Sequence, residues 1–528
     1  MATTDPVEIY DTSLRDGAQT VGVEYSPEEK LRLTEKLDDI GIDYVEGGYP
    51  LSNEKDFQYF KDVRMLRLKH TKITAFGMTR KRGSRCAEDL GMQALLRSEA
   101  QVITIVGKTW DLHVTEVLST TKDENLEMIY DSISYLREQG RDLFYDAEHF
   151  FDGFKSNPDY AIKTLQAAER GGAKTIILCD TNGGSMPDFI AQTVASVRSQ
   201  LKCGIGIHCH NDCELAVANS LAAVDSGATQ VQGTINGIGE RCGNADLISV
   251  MANLALKKNR FILGGRGVDR LCELSRYMYQ LIDQTTRDGQ PFVGLNAFAH
   301  KGGMHVHAVE KIAHSYEHIP PETVGNIRRI VISELGGRAN ISSVVKKFGH
   351  NPSSQLIERL IELVQRNELL GYQYDQAEAS FALLILKESG RFQPHFQRVY
   401  SFERVETKEG TQPFTEAILR LKVNGTEEHV VGDGDGPVNA LDKALRRALR
   451  HHFPAIESMT LTDYRVSVVT HRQGTQAPVR VIITSNDTRN SWSTVGVSEN
   501  IVEASWQALV DSFEFKLCKD AGAFSTTS

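Results

Sequence analysis

The 528-residue sequence is poor in the features that mark several large classes of protein. Its eight cysteines, at positions 86, 179, 203, 209, 213, 242, 272 and 518, form no CxxC pair. Neither a disulfide framework nor a closed zinc knuckle is signalled, and free thiols of this kind suit a reducing cytoplasm. Positive charge is not in excess: 59 basic residues stand against 69 acidic ones, a net charge of −10. That balance disfavours a nucleic acid or an anionic membrane as partner. No apolar run approaches the ~20 residues that cross a bilayer, and the opening MATTDPVEIY carries no basic and apolar targeting segment. The expectation is a cytoplasmic protein with small-molecule partners. Its length exceeds what one core supports and implies roughly two to four domains.

What the sequence does have is rhythm. The runs VEIYDTSLRD, YVEGGYP, KITAFGM, VITIVG, LFYDAEH, TIILCDTN, GIGIHCHN and QVQGTING alternate with helical patterns such as SPEEKLRLTEKLDDIG. Strand and helix recur at about 30 residues per unit, which predicts an α/β fold, a TIM (β/α)8 barrel, over residues 1–265. Ser26 followed by Pro27, Glu28 and Glu29 predicts a capped helix start. Residues 266–392 read as helical linker subdomains, with helical periodicity in RLCELSRYMYQLIDQ and SSQLIERLIELVQRNELLG. Between those two lies AFAHKGGMHVHAVEKIAHSYEHI, read as a polar, histidine-dense loop. Residues 393–522 hold an internal repeat. VGDGDGPVNALDKAL aligns with VGVSENIVEASWQAL, matching Val431 with Val495, Gly432 with Gly496, Ala440 with Ala504 and Ala444 with Ala508. The repeat predicts a C-terminal α+β regulatory domain of two βββα units with a ligand pocket between them.

Barrel active sites lie at the C-terminal ends of the strands. Here those ends carry Arg15, Asp16, Glu46, Glu148, Asp180, Thr181, His208, His210 and Asn236. In GIGIHCHND, strand alternation sends His208 and His210 to one face and Cys209 to the other. The two imidazoles, Asp16, and Asn244 from GERCGNA make a mixed nitrogen and oxygen donor set. Such a set suits Mg²⁺ or Mn²⁺, with Zn²⁺ as the alternative, and leaves positions open for substrate. Cys209 and Cys213 read as packing residues. Arg15 can pair with Glu46 or stabilise negative charge on a substrate oxygen, and both can hold together. Glu148 reads either as a general base or as a solvated loop carboxylate. Thr181 can hydrogen-bond a carboxylate. The GDGDG stretch lacks the Lys-Ser/Thr of a P-loop and the terminal Glu of an EF-hand. Its Gly432, Gly434 and Gly436 therefore read as shaping an effector pocket.

Three motifs, YDTSLRDGAQ, HCHND and NGIGERCGNA, resemble those of the acyl-CoA-condensing barrel enzymes called DRE-TIM metallolyases. That family comprises the 2-isopropylmalate, homocitrate and citramalate synthases. The second motif departs from the usual form, with Cys209 in place of Thr. FAHKGGMHVHAV resembles the family's linker and GDGDGPVNALDKAL its allosteric domain, so the resemblance covers nearly the whole chain. KTWDLHV, YDAEHFFDGFKSNPDYA and LCDTNGG are most similar to a citramalate-forming subgroup.

The resemblance implies an acyltransferase that condenses the co-substrate acetyl-CoA with pyruvate and water to give (R)-citramalate and CoA. This is the first step of a threonine-independent route to isoleucine. It implies that Asp16, His208, His210 and Asn244 hold the metal. Arg15 would stabilise the enolate and alkoxide, and Thr181 would bind the carboxylate, with Glu46 orienting Arg15. Glu148, His305 and Tyr316 would move protons. It implies a homodimer in which the linker histidine reaches the partner's barrel, and isoleucine as feedback inhibitor. One position departs: Asp146 stands where some citramalate synthases have an aromatic residue. Phe76, Met78 and Ile105 are bulky candidates for shaping the pocket and favour a methyl over an isopropyl group.

The rival readings are a sister synthase using 2-oxoisovalerate or 2-oxoglutarate, an acyl-CoA lyase, a biotin-linked carboxyltransferase, and a non-enzymatic amino-acid sensor. The homocitrate reading lacks a spare arginine at the strand ends. A lyase would have to account for the duplicated C-terminal domain. LCDTNGG supplies no lysine for carboxyl transfer, and a sensor would bind without releasing CoA.

Overall fold

In the computed structural model, which describes residues 6–332, 337–406, 414–469, 477–488 and 490–524, the chain forms two compact units. The first runs to Phe298 and takes back Ile319–Ile327; the second holds Ala299–His318 and the chain from Arg328 onward.

Eight parallel strands in sequential order close the barrel of the first unit: β1 (Glu8–Asp11), β2 (Tyr44–Gly48), β3 (Lys72–Met78), β4 (Val102–Lys108), β5 (Asp142–Glu148), β6 (Thr175–Asp180), β7 (Gly204–Cys209) and β8 (Gln230–Gly233). Closure pairs β8 with β1, Val231 opposite Ile9. Around them run α1 (Pro27–Ile40), α2 (Glu54–Asp62), α3 (Leu90–Arg97), α4 (Lys122–Glu138), α5 (Phe150–Ser156), α6 (Pro158–Gly171), α7 (Pro187–Arg198), α8 (Ala216–Asp225) and α9 (Leu247–Leu256), followed by α10 (Leu271–Leu281). Strands covered on both faces read as continuous apolar runs, and every residue of β6, TIILCD, is buried. The start of α1 follows from its sequence. Ser26 accepts from the Glu29 amide, Glu29 accepts from the Ser26 amide, and Pro27 takes the first turn.

The barrel interior is packed. Tyr10, Tyr44 and Phe144 cluster there, with the Tyr10 and Tyr44 ring centroids 5.9 Å apart and those of Tyr44 and Phe144 5.0 Å apart. The Tyr10 hydroxyl donates to Glu46 at 2.8 Å and lies 2.8 Å from the hydroxyls of both Thr74 and Thr104. This layer forms a floor beneath the strand ends.

Several expectations shift by a few residues. β1 ends at Asp11, so Arg15 and Asp16 lie in the turn that follows, once pairing with β8 stops at Gly233. Glu46 sits inside β2 rather than at its end. Asn236 occupies a left-handed turn position (φ 64°) and bonds Ser275 of α10 and Gln290, which takes it out of the strand-end set.

In the second unit, the histidine-dense stretch is not all loop. Gly303–Lys311 forms the helix α11, preceded by the short strand β9 (Ala299–His300), which pairs with β10 (Arg329–Ile330). Helices α12 (Gly337–Lys347), α13 (Ser354–Leu369) and α14 (Glu378–Glu388) lead into the duplicated region. Its first copy is β11 (Phe396–Glu406), β12 (Phe414–Val423), β13 (Thr426–Gly434) and α15 (Pro437–Leu449). Its second is β14 (Thr460–Val468), β15 (Val479–Asn486), β16 (Ser491–Ser498) and α16 (Ile501–Asp520). The two βββα units follow the repeat. Among the described residues, no helix is long and apolar enough to cross a membrane.

Candidate metal and substrate site at the barrel mouth

A cavity of about 260 Å³ opens at the C-terminal ends of the strands, and Arg15, Asp16, Glu148, Thr181, His208 and His210 all line it. Sequence-distant residues meet here because closure places β7, β8 and β1 side by side. His208 projects from β7, and His210 follows it on the same side, with the two Nε2 atoms 3.4 Å apart. Asp16 Oδ2 lies 3.5 Å from His208 Nε2 and 4.0 Å from His210 Nε2. Asn244, bridged through its backbone to His210, donates from Nδ2 to Asp16 Oδ1 at 3.0 Å. Gly239 permits that approach: a Cβ there would lie 2.2 Å from Asn244 Nδ2.

The electrostatics favour a cation. Burial pushes both imidazoles below their ordinary range, His210 to about 4, so they are neutral donors at neutral pH. For Asp16, burial alone would raise the carboxyl, but Arg15, His208, His210 and the Asn244 amide outweigh it and hold it at about 2. Neutral imidazoles and an ionised carboxylate are the protonation states that metal ligands require. Asn244 Oδ1 and His210 Nδ1 are buried without a partner. An orphaned buried polar atom costs about 1–3 kcal/mol, so a site that includes Asn244 Oδ1 gains by ligation. Asp16, His208, His210 and Asn244 thus fit a divalent cation with mixed nitrogen and oxygen ligands.

Arg15 is clamped beside this set. Its Nε lies 2.5 Å from Glu46 Oε2, Nη1 is 3.5 Å from Asp16 Oδ2, and the guanidinium sits 4.0 Å above the Phe76 ring. Burial works against its charge, but Glu46 and Asp16 more than compensate, and its pKa moves further up. A guanidinium in this position is a permanent cation aimed at the cavity. Thr181 Oγ1 accepts from the His149 amide at 2.9 Å, which leaves its hydroxyl hydrogen for an acceptor in the cavity.

Glu148 ends β5 and is 24 % exposed at the side chain, which replaces the solvated-loop reading. It is ion-paired with Lys108, its register partner at the end of β4. Sequence reasoning passed over Lys108. The signal was available: in VITIVGK the lysine closes a strand whose next neighbour in the barrel ends on a carboxylate. Another correction concerns the pocket wall. Phe76 and Met78 line the cavity, but Ile105 does not; Val106 does. With Thr104 bonded inward to Tyr10, the alternation of β4 turns Ile105 into the layer under the helices. Asp146, also at the wall, is buried, and burial followed by repulsion from Glu46 pushes its carboxyl up to about 8.

His305 and Tyr316 belong to the second unit, where their rings stack with centroids 4.2 Å apart and Tyr316 is 48 % exposed. The chain is anchored next to Tyr316, where buried Glu317 accepts two hydrogen bonds of 2.6 Å from Arg328 and lies 3.1 Å from His300 Nε2. The glycines of GDGDG serve packing first. A Cβ on Gly432 would lie 2.3 Å from the Ala440 carbonyl, and one on Gly434 would lie 2.5 Å from Asn439 Oδ1. Only Gly436, capping α15, faces open space.

Three family patterns match the chain in sequence: HMGL-like over residues 6–277, homocitrate synthase post-HMGL domain-like over 292–368, and LeuA allosteric (dimerisation) domain over 375–517. An (R)-citramalate synthase of Aquifex aeolicus is 47 % identical over 520 residues, 98 % of this chain and 98 % of that protein. One from Geobacter sulfurreducens is 47 % identical over 97 % of this chain and 98 % of its own length. A 2-isopropylmalate synthase of Methanocaldococcus jannaschii is 32 % identical over 98 % of this chain and 95 % of its own length.

Proposed function

Because this chain belongs to the (R)-citramalate synthase family of HMGL-like enzymes, we propose that it condenses acetyl-CoA with pyruvate and water to give (R)-citramalate and CoA. The observation that carries the chemistry is the meeting of Asp16, His208 and His210 beside the clamped Arg15 in one cavity, with Asn244 bonded to Asp16. Those four residues would hold Mn²⁺ or Mg²⁺, with Zn²⁺ as the alternative, and the bound ion would supply Lewis acidity toward a keto oxygen.

The chain's own groups account for the rest. Glu148, oriented by Lys108, takes a proton from the acetyl methyl group. Arg15, held by Glu46 and Phe76, stabilises the negative charge that develops on the enolate and then on the new alkoxide. Thr181 donates its hydroxyl hydrogen to the pyruvate carboxylate. Water then hydrolyses the thioester and CoA leaves. His305 and Tyr316 share in proton transfer, reaching the barrel of a second copy in a homodimer. In this scheme residues 1–265 are catalytic, 266–392 are the linker and 393–522 are regulatory, with isoleucine as feedback inhibitor beside Gly436, the one of Gly432, Gly434 and Gly436 that packing leaves open. The reaction opens a cytoplasmic route to isoleucine.

A thiol-release assay with acetyl-CoA and a panel of 2-oxo acids, with and without chelator, tests the proposal. Pyruvate should be the preferred acceptor, and chelation should stop turnover. Turnover with 2-oxoisovalerate and none with pyruvate would overturn the substrate, and full turnover after chelation would overturn the cation site.

A further inference from the structure

Beneath the cation donors lie two buried polar side chains that the scheme above leaves without a task, Asp146 of β5 and Gln232 of β8. The strands that carry them are not neighbours, so the two residues meet through the barrel interior. Gln232 Nε2 donates to Asp146 Oδ1 at 3.1 Å, and Gln232 Oε1 stands 3.0 Å from His208 Nδ1.

The ends of an amide are chemically distinct: the NH₂ group only donates and the oxygen only accepts. Asp146 Oδ1 faces the NH₂ end and accepts from it, as a carboxylate oxygen or as the carbonyl oxygen of the neutral acid with its proton on Oδ2, and the Gln232 oxygen then faces the imidazole. A carbonyl oxygen opposite Nδ1 requires the hydrogen to sit on Nδ1. The lone pair is thereby left on Nε2, the atom that looks toward His210 Nε2 at 3.4 Å and Asp16 Oδ2 at 3.5 Å. The reversed amide would put an NH₂ against Nδ1 and move the imidazole hydrogen onto Nε2, where it would block ligation.

We propose that Asp146 is a positioning residue: through Gln232 it selects the tautomer and ring orientation in which His208 can ligate a divalent cation. This inference rests on the cation site proposed above. It also gives Asp146 a reason to be polar on the side of the cavity that Phe76, Met78 and Val106 share with it.

The test is Mn²⁺ binding to the full-length, chelator-stripped protein, measured by isothermal titration calorimetry and by the loss of free-ion EPR signal. Wild type should bind one Mn²⁺ that His210→Ala loses. Asp146→Leu, which has no acceptor, and Gln232→Met, which has no amide, should each weaken Mn²⁺ binding about 10- to 100-fold, the range known for outer partners of metal-bound histidine. Asp146→Asn keeps an acceptor oxygen and should remain within about threefold of wild type by the same reasoning. If Asp146→Leu does not fold, Gln232→Met carries the comparison with Asp146→Asn. Wild-type affinity in Asp146→Leu or Gln232→Met, or equal losses in Asp146→Asn and Asp146→Leu, would overturn the role of Asp146 while leaving the cation site standing. Unchanged binding in His210→Ala would instead remove the cation site itself.

Discussion

The barrel mouth and the duplicated C-terminal domain both announce themselves by short motifs at the end of a strand, yet the motif residues do opposite things. In the barrel, Arg15, Asp16, His208 and His210 turn their side chains toward a cavity. In the duplicated domain, Gly432 and Gly496 face the helix that follows each of them: a Cβ would lie 2.3 Å from the Ala440 carbonyl in one copy and 2.0 Å from the Ala504 carbonyl in the other. The first set is brought together by closure across the whole barrel, the second by contacts fewer than a dozen residues away. A repeated motif therefore marks chemistry only where side chains from several elements converge. Where the backbone itself is in contact, the motif marks packing.

The two copies also differ from each other. Asn500 caps α16 by accepting from the Val502 and Glu503 amides, whereas its counterpart Gly436 caps α15 with no side chain. The same fold position is closed in one copy and open in the other.

The sharpest way to break the contrast is in the barrel. His210→Ala should lower CoA release by about a thousandfold or more, equivalent to ~4 kcal/mol of transition-state stabilisation, while circular dichroism and Tm stay close to wild type. Retained turnover would mean that the converging side chains are structural, as the glycines are.

Next in size is Arg15→Gln, for which kcat should fall about 100- to 1,000-fold, the loss usual for one donor to a developing oxyanion. This substitution also strands Glu46 without its cation, a loss of about 3–5 kcal/mol of stability. Adding Glu46→Gln should recover much of the Tm and none of the turnover. If turnover returned with stability, Arg15 would be a structural ion-pair partner and no more.

In the duplicated domain, Gly496→Ala should cost about 1–3 kcal/mol through overpacking against α16. Differential scanning calorimetry should show it as a lowered transition for the second unit. An unchanged transition would mean that the strand-to-helix contact is not close-packed.

The smallest effect separates charge from hydrogen bonding at Asp146. Burial, followed by Glu46, raises its carboxyl from 3.8 to about 8 in the folded chain. Unfolding therefore releases a proton between about pH 4 and 8, and the stability that the neutral carboxyl provides is lost as pH rises through that window. Asp146→Asn has no proton to lose. Its Tm relative to wild type should climb between pH 5 and pH 8; a difference that does not vary with pH would place the carboxyl in a more polar setting than the fold suggests.

Much of this was legible in the residues alone. The β-branched runs and the helices between them lead directly to the barrel, because strands covered on both faces must be apolar and parallel strands need crossovers. The Ser26 cap and the one-sided pair His208 and His210 follow from local geometry that no distant contact can alter. The aligned copies at Val431 and Val495 foretell two βββα units. Neighbourhood across the barrel was less legible. Lys108 opposite Glu148 depends on register, and the outward turn of Ile105 depends on which face of β4 Thr104 commits to the Tyr10 floor.

Local order, then, came from the chain itself: element type, the order of elements, caps and the face a strand residue takes relative to its neighbour all rest on interactions within a few residues. Partnership came from closure. Asn244 beside Asp16, Lys108 beside Glu148, and Asp146 linked through Gln232 to His208 join residues far apart in sequence. Their meeting is set by strand register and barrel closure, which are collective properties of all eight strands and are written in no single motif.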